Sequence, residues 1–332
     1  MKASKRLIWA DALRGLLIIL VVIGHSLQFD DFENRMSWNI INSFHVAAFF
    51  FISGFVSYKS EYLLSSIKDK FIQLMLPFLS WTLLKVFFYG GGTTAFLNYI
   101  LHPDCAFWFV WCLFFINLIF IIIRNIPLRG KININICVDI SDLLLLFTVI
   151  LLAVIMVITE YRLFGFQFLA LYFGFYVSGY LVRKWNVNFK INWIFLLGGA
   201  WLILAFFWRK HEVPLPLQGL TFIPASLLTY SYRYLTAFIG SLFFTFFAMK
   251  FMDKDNIVLK FLSYLGKISL GIYIIHLFIS SFTINYYRGL LQSDMSISFV
   301  LLNSITQIII SIILTKIILR IPIVRFFLLG KK

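Results

Sequence analysis

Apolar residues run along this chain in long blocks, separated by short stretches that collect the charged residues, glycines and prolines. About 20 mostly apolar residues are needed to cross a bilayer as a helix, and the blocks predict ten such helices. They fall at 7–29, 42–58, 73–89, 107–123, 143–159, 165–182, 192–208, 233–250, 262–283 and 297–319. No repeat period and no low-complexity linker divides them. The pattern predicts an all-α integral membrane protein in which residues 1–332 form a single membrane domain, with no appended soluble domain.

The polar stretches orient this layout, because Lys and Arg concentrate on the cytoplasmic side of a membrane protein. With the N-terminus inside, the inner stretches hold Lys2, Lys5, Arg6, Lys59, Lys68, Lys70, Arg124, Arg129, Lys131, Arg183, Lys184 and Lys190. They also hold Lys250, Lys254, Lys260, Lys267, Arg320, Arg325, Lys331 and Lys332. The outer stretches hold only Arg35, Arg162, Arg209, Lys210, Arg233 and Arg288. Both termini are therefore expected in the cytoplasm. The longest outer stretch, 209–232, carries three prolines among mixed apolar residues. A plain connector is the simpler expectation for it, and a fold over the outer mouth the alternative.

Composition agrees: 61% of the 332 residues are hydrophobic and only 13% are charged, a balance no soluble core requires. Mean hydropathy is +0.92. The net charge of +15 is dispersed along one membrane face without a nucleic-acid motif, so anchoring to anionic lipid explains it and no nucleic-acid partner is expected. The first block follows Lys2, Lys5 and Arg6 as a signal peptide would, yet it is long, contains Asp11 and Arg14 and lacks a small-residue cleavage site, so it is expected to stay as a span. Cys105, Cys112 and Cys137 show no C-x-x-C spacing, and Cys105 and Cys137 fall on opposite sides, which predicts neither a disulfide framework nor a metal site.

Candidate chemistry comes from polar side chains inside the blocks. Arg14 and His25 share the first, and eleven helical residues turn through about 1100° while rising about 16 Å, so both face one way. His45 and His276 are expected at a similar outer depth, whereas His102 and His211 lie in outer loops and receive no role. Two readings compete. In the structural one, Arg14 pairs with Asp11 or reaches the inner headgroups, and each histidine makes an interhelical hydrogen bond worth about 1 kcal/mol. In the functional one, Arg14 holds an anionic ligand whose reactive end meets His25, since a buried guanidinium stays charged and imidazole is a general base near neutral pH.

The stretch WADALRGLLIILVVIGHS, residues 9–26, contains Arg14, ten intervening residues and His25. SFHVAAFFFISGF runs from Ser43 to Phe55, and LGKISLGIYIIHLFI from Leu265 to Ile279. In this order the three blocks resemble the signatures of the membrane acyltransferase 3 family, in particular its fucose 4-O-acetylase-like and O-antigen O-acetyltransferase members. The resemblance implies a multi-pass enzyme of the bacterial inner membrane that takes an acyl group from cytoplasmic acetyl-CoA to a hydroxyl of a glycan or lipid-linked sugar outside. Acetyl-CoA is then a substrate, and no bound cofactor or metal is expected.

The same resemblance casts His25 as the catalytic residue, acting as general base or carrying the acyl group, and Arg14 as donor-binding. His45, His276 and Ser53 become supporting or acceptor-binding residues, with close packing at Ser53 and Gly54 as the alternative. Where the family often has an arginine pair before its third span, this chain has Lys68 and Lys70 flanking Asp69. Lysine attracts phosphate as a point charge without the bidentate fork, so donor binding and positive-inside anchoring are both open there. No carboxylate adjoins His25; Asp30, Asp31 and Glu33 follow in the outer loop, and a backbone carbonyl would serve equally. The rival function is a multi-helix transporter of a glycan or small anion.

Overall fold

A computed structural model describes residues 7–27, 36–58, 64–103, 107–126, 131–134, 136–159, 163–253, 256–291 and 297–331. Expectations placed on Lys2, Lys5, Arg6, Asp30, Asp31, Glu33, Arg35, Lys59, Cys105, Arg129, Arg162, Lys254 and Lys332 lie outside these residues. The elements in chain order are α1 Ile8–Ser26, α2 Met36–Asn42, α3 His45–Ser57, α4 Ser66–Lys70, α5 Leu76–Tyr89, α6 Gly92–Leu101, α7 Trp108–Arg124, β1 Lys131–Ile134 and β2 Ile136–Asp139. They continue with α8 Ile140–Thr159, α9 Phe166–Lys184, α10 Ile191–Phe206, α11 Ala225–Phe251, α12 Ile257–Lys267, α13 Ser269–Leu291, α14 Ile297–Arg320 and α15 Pro322–Leu329.

Among the described residues, seven helical stretches are long and apolar enough to cross a membrane: α1, Met36–Ser57, Ser66–Tyr89, Leu163–Lys184, α11, α13 and α14. Three further apolar stretches, Trp108–Arg124, Ile140–Met156 and Ile191–Phe206, are shorter. The protein is thus helical with several membrane-spanning segments.

Among the described residues the one departure from an all-α chain is the antiparallel pair of β1 and β2, with Lys131 opposite Asp139 and Ile134 opposite Ile136. Its cause is in the sequence, where Ile132, Ile134, Ile136 and Val138 alternate with polar residues and Cys137, the period-two pattern of β-branched residues that favours a strand.

The chain forms two compact units. The first comprises Met1–Ile52 and Asn188–Ile312. In it α12 lies along α1 backbone to backbone. A Cβ on Gly15 would overlap the Leu262 carbonyl, and one on Gly266 would overlap that of Asp11. These two crossings make the pair antiparallel, and only the absence of side chains at both permits it.

The break between α2 and α3 is held just as specifically. Ser43 Oγ donates to the Ile40 carbonyl and accepts from Trp201 Nε1 at 3.2 Å, while Phe44 stacks on Phe244 at 4.0 Å. Beyond the last turn of α1, Leu27, Trp38, Ile41, Trp208, Tyr232 and Phe299 form one buried apolar cluster.

Two expectations for this unit change. The span expected at 262–283 is two helices: the chain breaks at Ile268, α12 ends at Lys267 and α13 starts at Ser269. Periodicity alone joined them because both are apolar. The outer connector is shorter than 209–232, since α11 begins at Ala225. What remains folds back: Leu217 packs on the cluster that contains Leu27, and a cavity of about 570 Å³ is lined by Val213, Leu217, Leu220, Phe222 and neighbouring residues.

The second unit comprises Ser53–Val187 and Ile313–Lys332. α3 meets α9 at Gly54, where a Cβ would overlap the Tyr176 carbonyl. Pro77, at the start of α5, has no N–H for the carbonyl four residues back and its ring crowds it. The helix relieves this with a π turn over Phe71–Met75. Against that turn rests Gly330, at φ +60°, where a Cβ would meet the Ile72 carbonyl. Trp81 Nε1 donates to the Leu328 carbonyl at 2.8 Å and fixes α15 there.

Candidate functional site

The first unit holds Arg14, His25, His45 and His276. α1 presents Arg14 in its second turn and His25 in its last, both half-buried on a helix whose other faces are largely buried. Arg14 Nη1 stands 3.8 Å from Asp11 Oδ1, with the Asp11 side chain almost fully enclosed. The pairing expected from their three-residue spacing is therefore present, and it fixes the guanidinium on the same face as His25.

His25 meets His276, with ring centroids 5.4 Å apart and planes tilted by 45°. His276 was expected in the outer half of its span. It lies instead in the second turn of α13, because that helix starts at Ser269, and it still reaches the imidazole in the last turn of α1. His276 is fully buried, its Nδ1 lies 2.9 Å from the Ile272 carbonyl, and Tyr273 packs on its ring. His45 is buried at the start of α3, with Nδ1 2.7 Å from the Ile41 carbonyl and its ring within electrostatic reach of His25.

A carbonyl can only accept, so in both histidines Nδ1 carries a proton, and in the neutral ring Nε2 presents a lone pair. The Nε2 of His276 is buried with no hydrogen-bond partner among the described residues. Three imidazoles thus gather as the sequence suggested, two of them with a fixed tautomer. Among the described residues no group of three or more His, Cys, Asp or Glu side chains could hold a metal ion.

Ser53, Lys68 and Lys70 belong to the second unit. Ser53 is half-buried, two turns beyond His45 on α3 and next to the Gly54 crossing. Lys68 is exposed and Lys70 half-buried on the single-turn α4.

Sequence reasoning missed a buried ion network in this unit. Asp142, fully enclosed at the start of α8, takes Arg124 Nη1 at 3.1 Å, the Lys184 ammonium and the Asp139 backbone N–H at 2.9 Å. Lys184 also reaches Asp139 at 2.8 Å, and Arg124 donates to Ser141 Oγ at 2.7 Å. Arg124 and Lys184 had been counted only as inner-face charges. The available signal was Asp142 itself, a carboxylate at the edge of an apolar block, which requires a partner.

A second omission is a polar row on α14. Asn303, Ser304, Gln307 and Ser311 are each at most 2% exposed. Asn303 Nδ2 donates to Ser26 Oγ at 3.0 Å, beside His25.

Helical spans, an arginine and a histidine on one helix face and a second histidine against the first define a multi-pass membrane protein with a cluster of polar side chains in one unit. The chain belongs to the acyltransferase 3 family: the family's model, described as an acyltransferase domain, matches residues 7–318. It is similar to nodulation protein NolL of Mesorhizobium japonicum, 28% identical over 219 residues, covering 60% of this chain and 56% of that one. It is also similar to nodulation protein NolL of Sinorhizobium fredii, 33% identical over 125 residues, covering 33% of this chain and 34% of that one. The chain thus spans about half the length of these relatives, or less. No solved structure matches it.

Proposed function

We propose that the protein transfers an acetyl group from cytoplasmic acetyl-CoA to a hydroxyl of a surface-polysaccharide or lipid-linked sugar, as in O-antigen O-acetylation, in the inner membrane of a bacterium. The long apolar helices among the described residues support a multi-pass membrane protein. Ten spans with both termini cytoplasmic is the topology this reading uses. The observation that carries it is the contact of His25 with His276, on a helix whose opposite end holds Arg14 about 16 Å away. The family match separates it from the transporter reading.

In this reading Arg14 attracts the donor phosphates. His25 takes the proton of the acceptor hydroxyl as that oxygen attacks the thioester carbonyl. The carbon–sulfur bond breaks, and the leaving thiolate takes the proton from the imidazolium. The covalent variant has His25 attack first and carry the acetyl group briefly. His45 and His276 support His25 or receive sugar hydroxyls through their Nε2 lone pairs.

Purified protein in liposomes, given radiolabelled acetyl-CoA and a glycan acceptor, tests this directly. Label should pass to the glycan with wild-type protein and not with His25→Ala. Full transfer by a folded His25→Ala variant sinks the catalytic assignment, and no transfer by the wild type to any glycan sinks the function.

A further inference from the structure

α14 carries a feature the site above does not use. Asn303, Gln307 and Ser311 recur at every fourth position, and Ser304 adjoins them, so they form one polar row on α14. All are buried, which rules out a face turned to headgroups. Holding helices together accounts for part of the row: Asn303 bonds Ser26, and Gln307 Nε2 donates to Thr283 Oγ1 at 2.9 Å and to Asn303 Oδ1 at 3.2 Å. It does not account for Gln307 Oε1, Ser304 Oγ and Ser311 Oγ, buried with no hydrogen-bond partner among the described residues. Serine and threonine inside helices commonly turn back to a carbonyl three or four residues earlier. Ser280 and Thr283 on neighbouring α13 do so, and Ser304 and Ser311 do not.

Two hydrogen bonds tie this row to the helices that carry the histidine pair. His276 and Thr283 are seven residues apart, two turns of α13 and about 10 Å, and so share one face. Gln307 is bonded to Thr283, and Asn303 to the residue after His25. The Nε2 of His276 is likewise buried without a hydrogen-bond partner among the described residues, as is Thr315 Oγ1 further along α14.

Their chemistry specifies a ligand. Gln307 Oε1 and His276 Nε2 accept only, and the two serine hydroxyls accept or donate. The row contains no cation, so it does not suit phosphate, and an acyl thioester group offers no donor. A neutral molecule rich in O–H groups matches it.

We propose that the Asn303–Gln307–Ser311 face of α14, with Ser304 and His276, binds the hydroxyls of the acceptor sugar and presents one of them to His25. The assignment rests on the acyl-transfer reading.

Octyl glycosides of hexoses and 6-deoxyhexoses serve as probes for the purified full chain in liposomes, in two assays: equilibrium binding without donor, and acetyl transfer from acetyl-CoA. Ser304→Ala, Ser311→Ala and Gln307→Leu should each weaken glycoside binding and raise the glycoside KM about tenfold, with the acetyl-CoA KM unchanged. Thr283→Val cuts the internal bond to Gln307 and leaves Gln307 Oε1, Ser304 Oγ, Ser311 Oγ and His276 Nε2 in place, so it should change glycoside KM by less than the serine variants. Unchanged glycoside binding in folded Ser304→Ala and Ser311→Ala, or a raised acetyl-CoA KM in its place, overturns the proposal. Wild-type protein that binds glycoside and never acetylates it refutes the acyl-transfer reading while the sugar site stands.

Discussion

Arg14 shows how far a single residue can be read. An arginine in an apolar block was expected to need an anion, and Asp11 stands 3.8 Å away. That pairing alone makes Arg14 structural, whereas its place on the face of His25 makes it the inner end of a donor path. Donor affinity separates the two. Arg14→Ala should weaken acetyl-CoA binding at least tenfold, the scale of one charge-assisted hydrogen bond, and Arg14→Lys should recover only part of the loss because the fork is gone. Unchanged affinity in a folded Arg14→Ala protein leaves only the pairing with Asp11. The alignment with His25 was legible in the sequence because helix geometry follows from residue count. The fixed tautomers of His45 and His276 were not, since they depend on carbonyls four residues back, which every helical histidine has and few use.

Elements decide whether that geometry is held. α1 is gripped by α12 at Gly15 and Gly266, where backbones touch and any side chain must push them apart. Gly15→Leu or Gly266→Val should cost at least about 3 kcal/mol and lower the thermal unfolding midpoint in detergent; a variant as stable as wild type shows that the helices part without cost. In the second unit Asp142→Ala removes the enclosed carboxylate that Arg124 and Lys184 share and leaves the partly exposed Asp139 as their carboxylate partner. Loss of a buried ion-pair partner costs about 3–5 kcal/mol, so unfolding in mild detergent should become markedly easier, and an unaltered transition excludes that role. Hydropathy found the seven long apolar helices among the described residues because lipid imposes the same demand on each. It ran α12 and α13 together because the break at Ile268 contains neither proline nor a polar cluster. It also missed the β1–β2 hairpin, whose alternation sits in a stretch too short to register against neighbouring spans.

At the scale of the whole molecule the reading depends on direction: donor on one side of the membrane, acceptor on the other. The bias of Lys and Arg supplies that direction, and α10 with the connector after it gives it a sharp test within one unit. Lys190 immediately precedes α10 and Glu212 lies in the connector beyond it, so in the proposed ten-span topology a single crossing separates them. Reporters fused at Lys190 should be active only in the cytoplasm and those at Glu212 only outside; the reverse pattern would put His25 on the donor side and undo the proposed path. With the orientation secured, the consequence for the cell follows from the chemistry. Surface glycans from cells making the protein should carry acetyl esters that disappear with His25→Ala, read by mass spectrometry as loss of one acetyl increment per modified unit and by its removal with mild base. Ser311→Ala should lower the acetylated fraction without abolishing it, because weakened acceptor binding slows transfer at limiting acceptor and leaves His25 in place. Glycans acetylated to the wild-type extent in both variants would assign the modification to another protein.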